Sequence, residues 1–258
     1  MNSLTNKTQM DIRCAADIIM GSKYSVVLTG AGVSTPSGIP DFRSSDGGLW
    51  TKYDPFEVAS LSTFRYNPKK FYNWIRPFAV QIRDAQPNRA HVGFAHLEET
   101  GHIKSIITQN IDCLHQRAGS KNVIEVHGSW ESMSCTDCFR SFSSQGHIEP
   151  FLSEGTIPCC PDCGSVLKPD LVLVGESLPA RNWMQAIEAS KTCDLMIIVG
   201  SSLEIMPVAG LPMRALENGA RLIVINHSET CIDMRADVVL HEDVAEVIPL
   251  IVGKILGD

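Results

Sequence analysis

Short runs rich in Val, Ile and Leu recur along the chain, at 25–28, 103–108, 123–126, 195–199 and 222–225. Most are separated by stretches whose apolar residues fall at helical spacing. Such alternation predicts an α/β fold, a parallel sheet with helices on both faces. Residues 9–20 set Ile12, Ala15, Ala16 and Ile19 on one face of a first helix. Pro68 after Asn67 reads as a first-turn proline behind an N-cap, opening a helix toward Gln86. Residues 244–256 read as a closing helix, which Pro249 would strain.

Two stretches interrupt this pattern. Residues 41–63 are rich in Gly, Ser, Asp and aromatics without clear periodicity, which predicts a long loop of the kind that often carries function. Residues 130–169 hold two C-x-x-C pairs among Gly, Ser and Pro and read as a small inserted module. The chain has 258 residues, 44% hydrophobic, enough for one large domain carrying such a module. A formal charge of −7 gives no global field toward nucleic acid or an acidic membrane, so no strong direct nucleic-acid binding is expected. No apolar run approaches the ~18 residues that span a bilayer, and the start, MNSLTNKTQMD, lacks the apolar core of a signal peptide. The expected location is the cytoplasm, where nine cysteines, an odd number, would remain reduced.

Four of those cysteines stand apart by spacing. Cys135, Cys138, Cys160 and Cys163 form two C-x-x-C knuckles with 21 residues between the second and third. Paired knuckles suit one Zn²⁺ held tetrahedrally by four thiolates, a closed and therefore structural site. Cys159 adjoins Cys160 but lacks the two-residue gap to Cys163.

Candidate chemistry gathers at the ends of the predicted strands. The first runs into Gly30-Ala31-Gly32-Val33-Ser34, glycines that let backbone approach a phosphate. Thr35 stands where a dinucleotide fingerprint has its third Gly, so by itself this run also fits a plain strand-to-helix turn. The set at 37–43, with Asp41, Phe42 and Arg43 together, exceeds what a turn needs. Thr108-Gln109-Asn110-Ile111-Asp112 joins amides and a carboxylate at a strand end. His127 and Gly128 end another strand, although a lone histidine is also a common structural residue. Gly200-Ser201-Ser202 and Asn226 close two more, where ordinary turns use the same residue types.

Taken in order, GAGVS at 30–34, SGIPDFR at 37–43, TQNID at 108–112, HG at 127–128, the cysteine pairs, VGE at 174–176, GSS at 200–202 and IN at 225–226 resemble the sirtuins, NAD-dependent protein deacylases. The resemblance implies a Rossmann-like large domain (1–129 and 171–258, with a cofactor loop and helical insertion at about 41–87) and a zinc-ribbon module (130–170). It implies NAD as co-substrate, one structural Zn²⁺ and acyl-lysine peptides as partners. On the same basis Gly30, Ala31, Gly32 and Ser34 would meet the pyrophosphate, with Arg43 in the cofactor loop. Gly200, Ser201, Ser202 and Asn226 would hold the adenosine half, and Ile39, Asp41, Phe42, Gln109, Asn110, Ile111 and Asp112 the nicotinamide side. His127 would be the general base, with Asn110 and Asp112 beside it, acting on a ribose hydroxyl after the acyl oxygen has displaced nicotinamide. Val172, Val174, Gly175, Glu176 and Leu203 would flank the peptide, bound as an added strand.

Two departures bear on specificity. Val174 stands where many relatives have Phe, loosening the expected acyl-lysine wall. Relatives that remove acidic acyl groups carry Tyr-x-x-Arg, whereas here Tyr72 is followed at that distance by Ile75, with Arg76 one place late. Acetyl or longer apolar acyl groups are therefore expected over succinyl. ADP-ribosyl transfer and NAD hydrolysis would use the same pocket, but retention of His127 and of both cysteine pairs argues against them. A pure binding protein would have little use for Asn110, Asp112 and His127 together, and a dehydrogenase lacks its third fingerprint glycine. Oligomeric state is left open by the sequence.

Overall fold

The computed structural model describes residues 5–41 and 48–257. Its strands are β1 (Ser25–Thr29), β2 (Ser105–Thr108), β3 (Val123–Glu125), β4 (Gly128–Cys135), β5 (Ser141–Ser143), β6 (Leu167–Leu171), β7 (Leu195–Val199), β8 (Arg221–Ile225) and β9 (Val238–Leu240). Six form a parallel sheet in the order β3-β2-β1-β7-β8-β9, and three form an antiparallel sheet in the order β5-β4-β6. Counted within the large sheet alone, that is the order 3-2-1-4-5-6 of a dinucleotide-binding fold, which reverses between β1 and β7. The helices are α1 (Asn6–Gly21), α2 (Pro55–Val58), α3 (Leu61–Tyr66), α4 (Pro68–Asp84), α5 (Arg89–Glu99), α6 (Leu114–Arg117), α7 (Ile148–Glu154), α8 (Ala180–Thr192), α9 (Leu211–Glu217) and α10 (Val244–Leu256).

Strand side chains alternate between two cores, because successive Cβ atoms leave opposite faces of a pleated strand. Val27, Ile106, Ile197 and Ile223 pack with α1, α5 and α10 through Ile12, Ile19, Phe94, Leu97, Val247 and Ile251. Val26, Leu28, Met196, Ile198 and Val224 pack on the other face with α8 and α9 through Ala186, Leu211 and Ala215. Both faces are covered, which is why the strands read as continuous apolar runs. β9 is a three-residue edge strand beside β8, too short to register as a periodic run.

The stretch at 41–63 is not the continuous loop its sequence suggests. Among its described residues, a 3-10 turn (Leu49–Thr51), α2 and the start of α3 fold locally. Asp54 and Ser60 cap the two helices by accepting hydrogen bonds from Phe56 N–H and Thr63 N–H. Segments of one or two turns cannot display a helical period, so capping residues were the legible signal. The cluster they join is aromatic: Phe64 packs edge-on against Phe71, Tyr72 against Phe151, and Trp50 stacks on Trp74 at 5.7 Å. Asn67 caps α4 as expected, accepting from Lys70 N–H.

The closing helix runs through Pro249 without ending. Pro249 supplies no N–H to the carbonyl of Ala245, and both residues are only half-buried, so water can reach the bond left open. No helix among the described residues is long and apolar enough to cross a membrane.

Candidate active site and metal centre

The switch between β1 and β7 places the turn after each strand against the other. Gly32 N–H donates to Gly200 O at 2.9 Å, and Gly30 N–H donates to Val199 O at 3.1 Å. A Cβ on Gly200 would lie 2.4 Å from Val33 N, and one on Gly32 would lie 2.8 Å from Gly200 Cα. The two glycine turns therefore interlock, and a side chain at either would drive them apart. A cleft of about 740 Å³ opens over this junction, at the carboxyl ends of the strands. Gly30, Ala31, Gly32, Asp41, Gln109, Asn110, His127, Gly200, Ser201, Ser202 and Asn226 all line it.

Its reactive end is set by β2 and β3. His127 Nδ1 lies 3.0 Å from Gln109 O, and a carbonyl can only accept, so Nδ1 carries the proton and Nε2 is the basic nitrogen of the neutral ring. Gln109 Nε2 donates to Ser201 Oγ at 2.9 Å, joining this strand end to the β7 turn. Asn110 Nδ2 donates to Gly30 O and to Ser34 Oγ, both at 3.1 Å. Ser34 Oγ in turn donates to Asp112 Oδ2 at 2.7 Å, and Leu114 N–H donates to Asp112 Oδ1 at 2.9 Å. Burial pushes the Asp112 carboxyl up, and those two donors pull it partly back.

Ser34, Ile39, Ile111 and Asp112 are not among the residues that line the cleft. Ser34 is 1% exposed, and its hydroxyl donates to Asp112 and accepts from Asn110, which fixes that pair. Ile111 packs against the aromatic cluster. Asn226 turns its amide to Ser228 O at 2.7 Å. Phe42 and Arg43 lie outside the described residues. Thr35, Pro36, Glu204, Ile205, His227, Ser228, Glu229, Asp243 and Val244 also line the cleft, and sequence reasoning did not assign them to the cofactor. They follow assigned motifs directly or begin α10, so strand-end position was the available signal. The described lining carries Asp41, Glu204, Glu229 and Asp243 but neither Lys nor Arg. A pyrophosphate there would rest on close backbone and hydroxyls, as the glycine turns allow.

The segment after β6 forms a separate wall. Val172 N–H donates to His127 O, Val174 N–H to Ala59 O, and Leu61 N–H to Val174 O. Leu173–Glu176 is a turn closed by Glu176 N–H on Leu173 O at 2.9 Å, with Gly175 at φ 91° as the third residue of a type II turn requires. Glu176 points its carboxylate inward, to Leu173 N–H and Lys168 Nζ. Leu203 is buried with φ 54° and packs in the core beside α8 and α9.

The two knuckles meet beyond β4. Cys135 N–H donates to Arg140 O and Cys160 N–H donates to Ser165 O, the same six-residue loop used twice. The four sulfurs lie within 4.8 Å of one another, with Cys135–Cys163 at 3.4 Å and Cys138–Cys160 at 3.7 Å. A tetrahedron of Zn–S bonds has edges of about 3.8 Å, so the donor set fits Zn²⁺. Cys159 is exposed and donates to Ile157 O, apart from the set.

The sequence profile of the Sir2 family matches residues 30–207. The chain is 47% identical to NAD-dependent protein deacylase 2 of Archaeoglobus fulgidus, over 95% of this chain and 96% of that one. A solved structure described as the structural basis for the mechanism and regulation of Sir2 enzymes superposes with a TM-score of 0.90 at 46% identity, covering 96% of this chain and 99% of that one. Sir2Af2 bound to a myristoylated histone peptide superposes with a TM-score of 0.81 at 40% identity, covering 96% and 97%. With its profile match, its full-length relatives and its reversed parallel sheet in agreement, this chain belongs to the Sir2 family.

Proposed function

We infer that the chain is an NAD-dependent protein-lysine deacylase. The observation that carries this reading is the convergence of His127, Asn110 and both glycine turns on one cleft. NAD supplies the leaving nicotinamide and the ADP-ribose that accepts the acyl group. His127, held by its Nδ1–H on Gln109 O, takes a proton at Nε2 from a ribose hydroxyl. Asn110 is fixed by Gly30 and Ser34, and Asp112 by Ser34 and Leu114, so both polar groups are preorganised before substrate arrives. Gly30, Ala31 and Gly32 suit the pyrophosphate, and Gly200, Ser201, Ser202 and Asn226 the adenosine half. The cysteine cluster holds Zn²⁺ for structure alone, having no open position. Transfer of ADP-ribose to protein, or bare NAD hydrolysis, is not favoured, since the relatives bear deacylase and deacetylase names.

Acetyl or longer apolar acyl-lysine is the substrate class that the neighbourhood supports. Arg76 spends its guanidinium on Leu152 O and Ser153 O, and Tyr72 spends its hydroxyl on Leu167 O. Neither is placed to pair with a carboxylate-tipped chain, and a buried unpaired carboxylate is costly. Incubation with acetyl-lysine peptide should give deacylated peptide and nicotinamide in equal amounts, only with NAD and not with His127→Ala. Nicotinamide release without peptide change would instead support NAD hydrolysis. Succinyl-lysine turned over faster than acetyl-lysine would overturn the acyl preference.

A further inference from the structure

We propose that Lys168, in the strand leading out of the zinc module, is a positioning residue for the acyl-lysine peptide, acting through Glu176 on the turn at 173–176. The proposal rests on the deacylase reading above for its substrate, but not for its geometry.

The chain between the module and the large sheet has a specific order. β6 pairs with β4 so that Leu167 lies opposite the zinc ligand Cys135 and Lys168 opposite Ser134. Immediately afterwards come Val172, whose N–H rests on the carbonyl of His127, and Val174, whose N–H and C=O are both used by the backbone at 59 and 61. These anchors are main-chain bonds and would be kept by almost any residue type. The remaining anchor is made of side chains. Lys168 Nζ lies 3.1 Å from Glu176 Oε2 and also donates to Leu171 O at 2.8 Å and Pro169 O at 3.2 Å. Its three ammonium hydrogens thus have three acceptors. The same Glu176 oxygen accepts from Leu173 N–H at 2.8 Å, inside the turn that Glu176 N–H closes.

The two side chains are only 16% and 20% exposed. Removing one member of a shielded pair leaves the other charge without its partner, a larger loss than breaking an exposed pair. Without the ammonium, the Glu176 carboxylate gains by turning to water, and Leu173 N–H loses its acceptor. The turn then keeps its backbone closure but loses the side-chain one. On the deacylase reading this turn walls the acyl-lysine, so its looseness raises the cost of ordering the bound peptide and leaves the separate NAD cleft untouched. Glu176 accordingly serves the peptide without touching it.

The test compares wild type, Lys168→Met, Lys168→Arg and the double variant Lys168→Met/Glu176→Gln, each checked for bound zinc. In Lys168→Met the KM for acetyl-lysine peptide should rise about tenfold, with kcat and the KM for NAD within roughly twofold, because the lost interaction is used in binding. Lys168→Arg should recover most of the loss. The double variant should recover part, since the side chain at position 176 would then be neutral and its amide oxygen could still accept from Leu173 N–H. Hydrogen exchange read over 171–176 should quicken in Lys168→Met while 133–167 stays protected. Equal rises in both KM values, loss of protection across the whole module, or unchanged exchange at 171–176 would each overturn the proposal. If wild type fails to deacylate, the functional reading falls, and the exchange data still decide whether Lys168 holds the turn.

Discussion

The site depends on a few side chains whose groups are shared. Ser34 Oγ accepts from Asn110 and donates to Asp112 at once, so no other contact can replace it singly. Ser34→Ala should leave Asp112 buried with one donor fewer and Asn110 held by Gly30 alone. A hydrogen bond to a charged group contributes about 1.5–3 kcal/mol, so kcat/KM for NAD should fall between roughly tenfold and a hundredfold. A loss smaller than twofold, measured by nicotinamide release, would show that the network is ornamental to the chemistry. Cys113 is a different case at the same scale. It sits beside Asp112 in a left-handed conformation, and burial first, then the charges of Glu125, Glu131 and Asp112, push its thiol up to about 12. At pH 8 only about one thiol in ten thousand would be thiolate at such a pKa. Alkylation mapped by mass should label the exposed Cys14 and Cys231 long before Cys113. Fast labelling of Cys113 in the folded protein would contradict that environment.

At the scale of elements, the small antiparallel sheet has few means of standing alone. Its own cluster of buried apolar groups is Met133, Cys135, Cys160 and Leu167, two of which are proposed metal ligands. So small a core needs a staple. Chelation should therefore release one Zn²⁺ per chain and quicken exchange in β4, β5 and β6, while the parallel sheet keeps its protection. Simultaneous loss of both sheets would mean that the module is not a separate unit. This element was legible because metal ligation demands a residue type and a spacing, both visible in sequence. The parallel strands were legible for a similar reason, since burial on both faces forces unbroken apolar runs such as 195–199. What escaped was short: β9, the 3-10 turn at 49–51 and α2 have three or four residues each, too few to repeat a period. The inward turn of Glu176 escaped for another reason. Its partner Lys168 lies outside the motif that drew attention to 174–176.

At the scale of the whole molecule, the cleft joins residues as distant as Gly30, Gln109 and Gly200, and their position at strand ends made them recognisable without the fold. The same packing that assembles them creates a feature no motif announces, a buried pair of histidines beneath the site. His91 on α5 and His115 on α6 have ring centroids 4.8 Å apart. His115 Nε2 lies 3.1 Å from Thr29 Oγ1, which itself donates to Thr108 Oγ1, so His115 is the donor in that contact. His91 Nδ1 accepts from Asn88 N–H at 3.3 Å. His91 Nε2 and His115 Nδ1 find no partner within the described protein, and both imidazoles are shielded from bulk solvent. Burial lowers His91 to about 4, and burial with the neighbouring His91 lowers His115 well below its ordinary value. An unfolded chain binds a proton at each near pH 6.5, whereas the native protein refuses until far lower. Native stability must therefore fall as pH drops from about 6.5 toward 4, by roughly 3 kcal/mol for His91 alone. Asp112 and Glu125, raised chiefly by burial, act in the opposite sense by binding protons first in the native state, which flattens the wild-type curve. The contribution of the histidine is isolated by comparison with His91→Gln, in which those carboxyls and the zinc thiolates are unchanged. Urea unfolding between pH 6 and 4.5 should give a wild-type stability that falls about 1.2 kcal/mol per pH unit more steeply than the variant's. Parallel curves would mean that His91 is protonated in the native protein and that a buried acceptor or water reaches it.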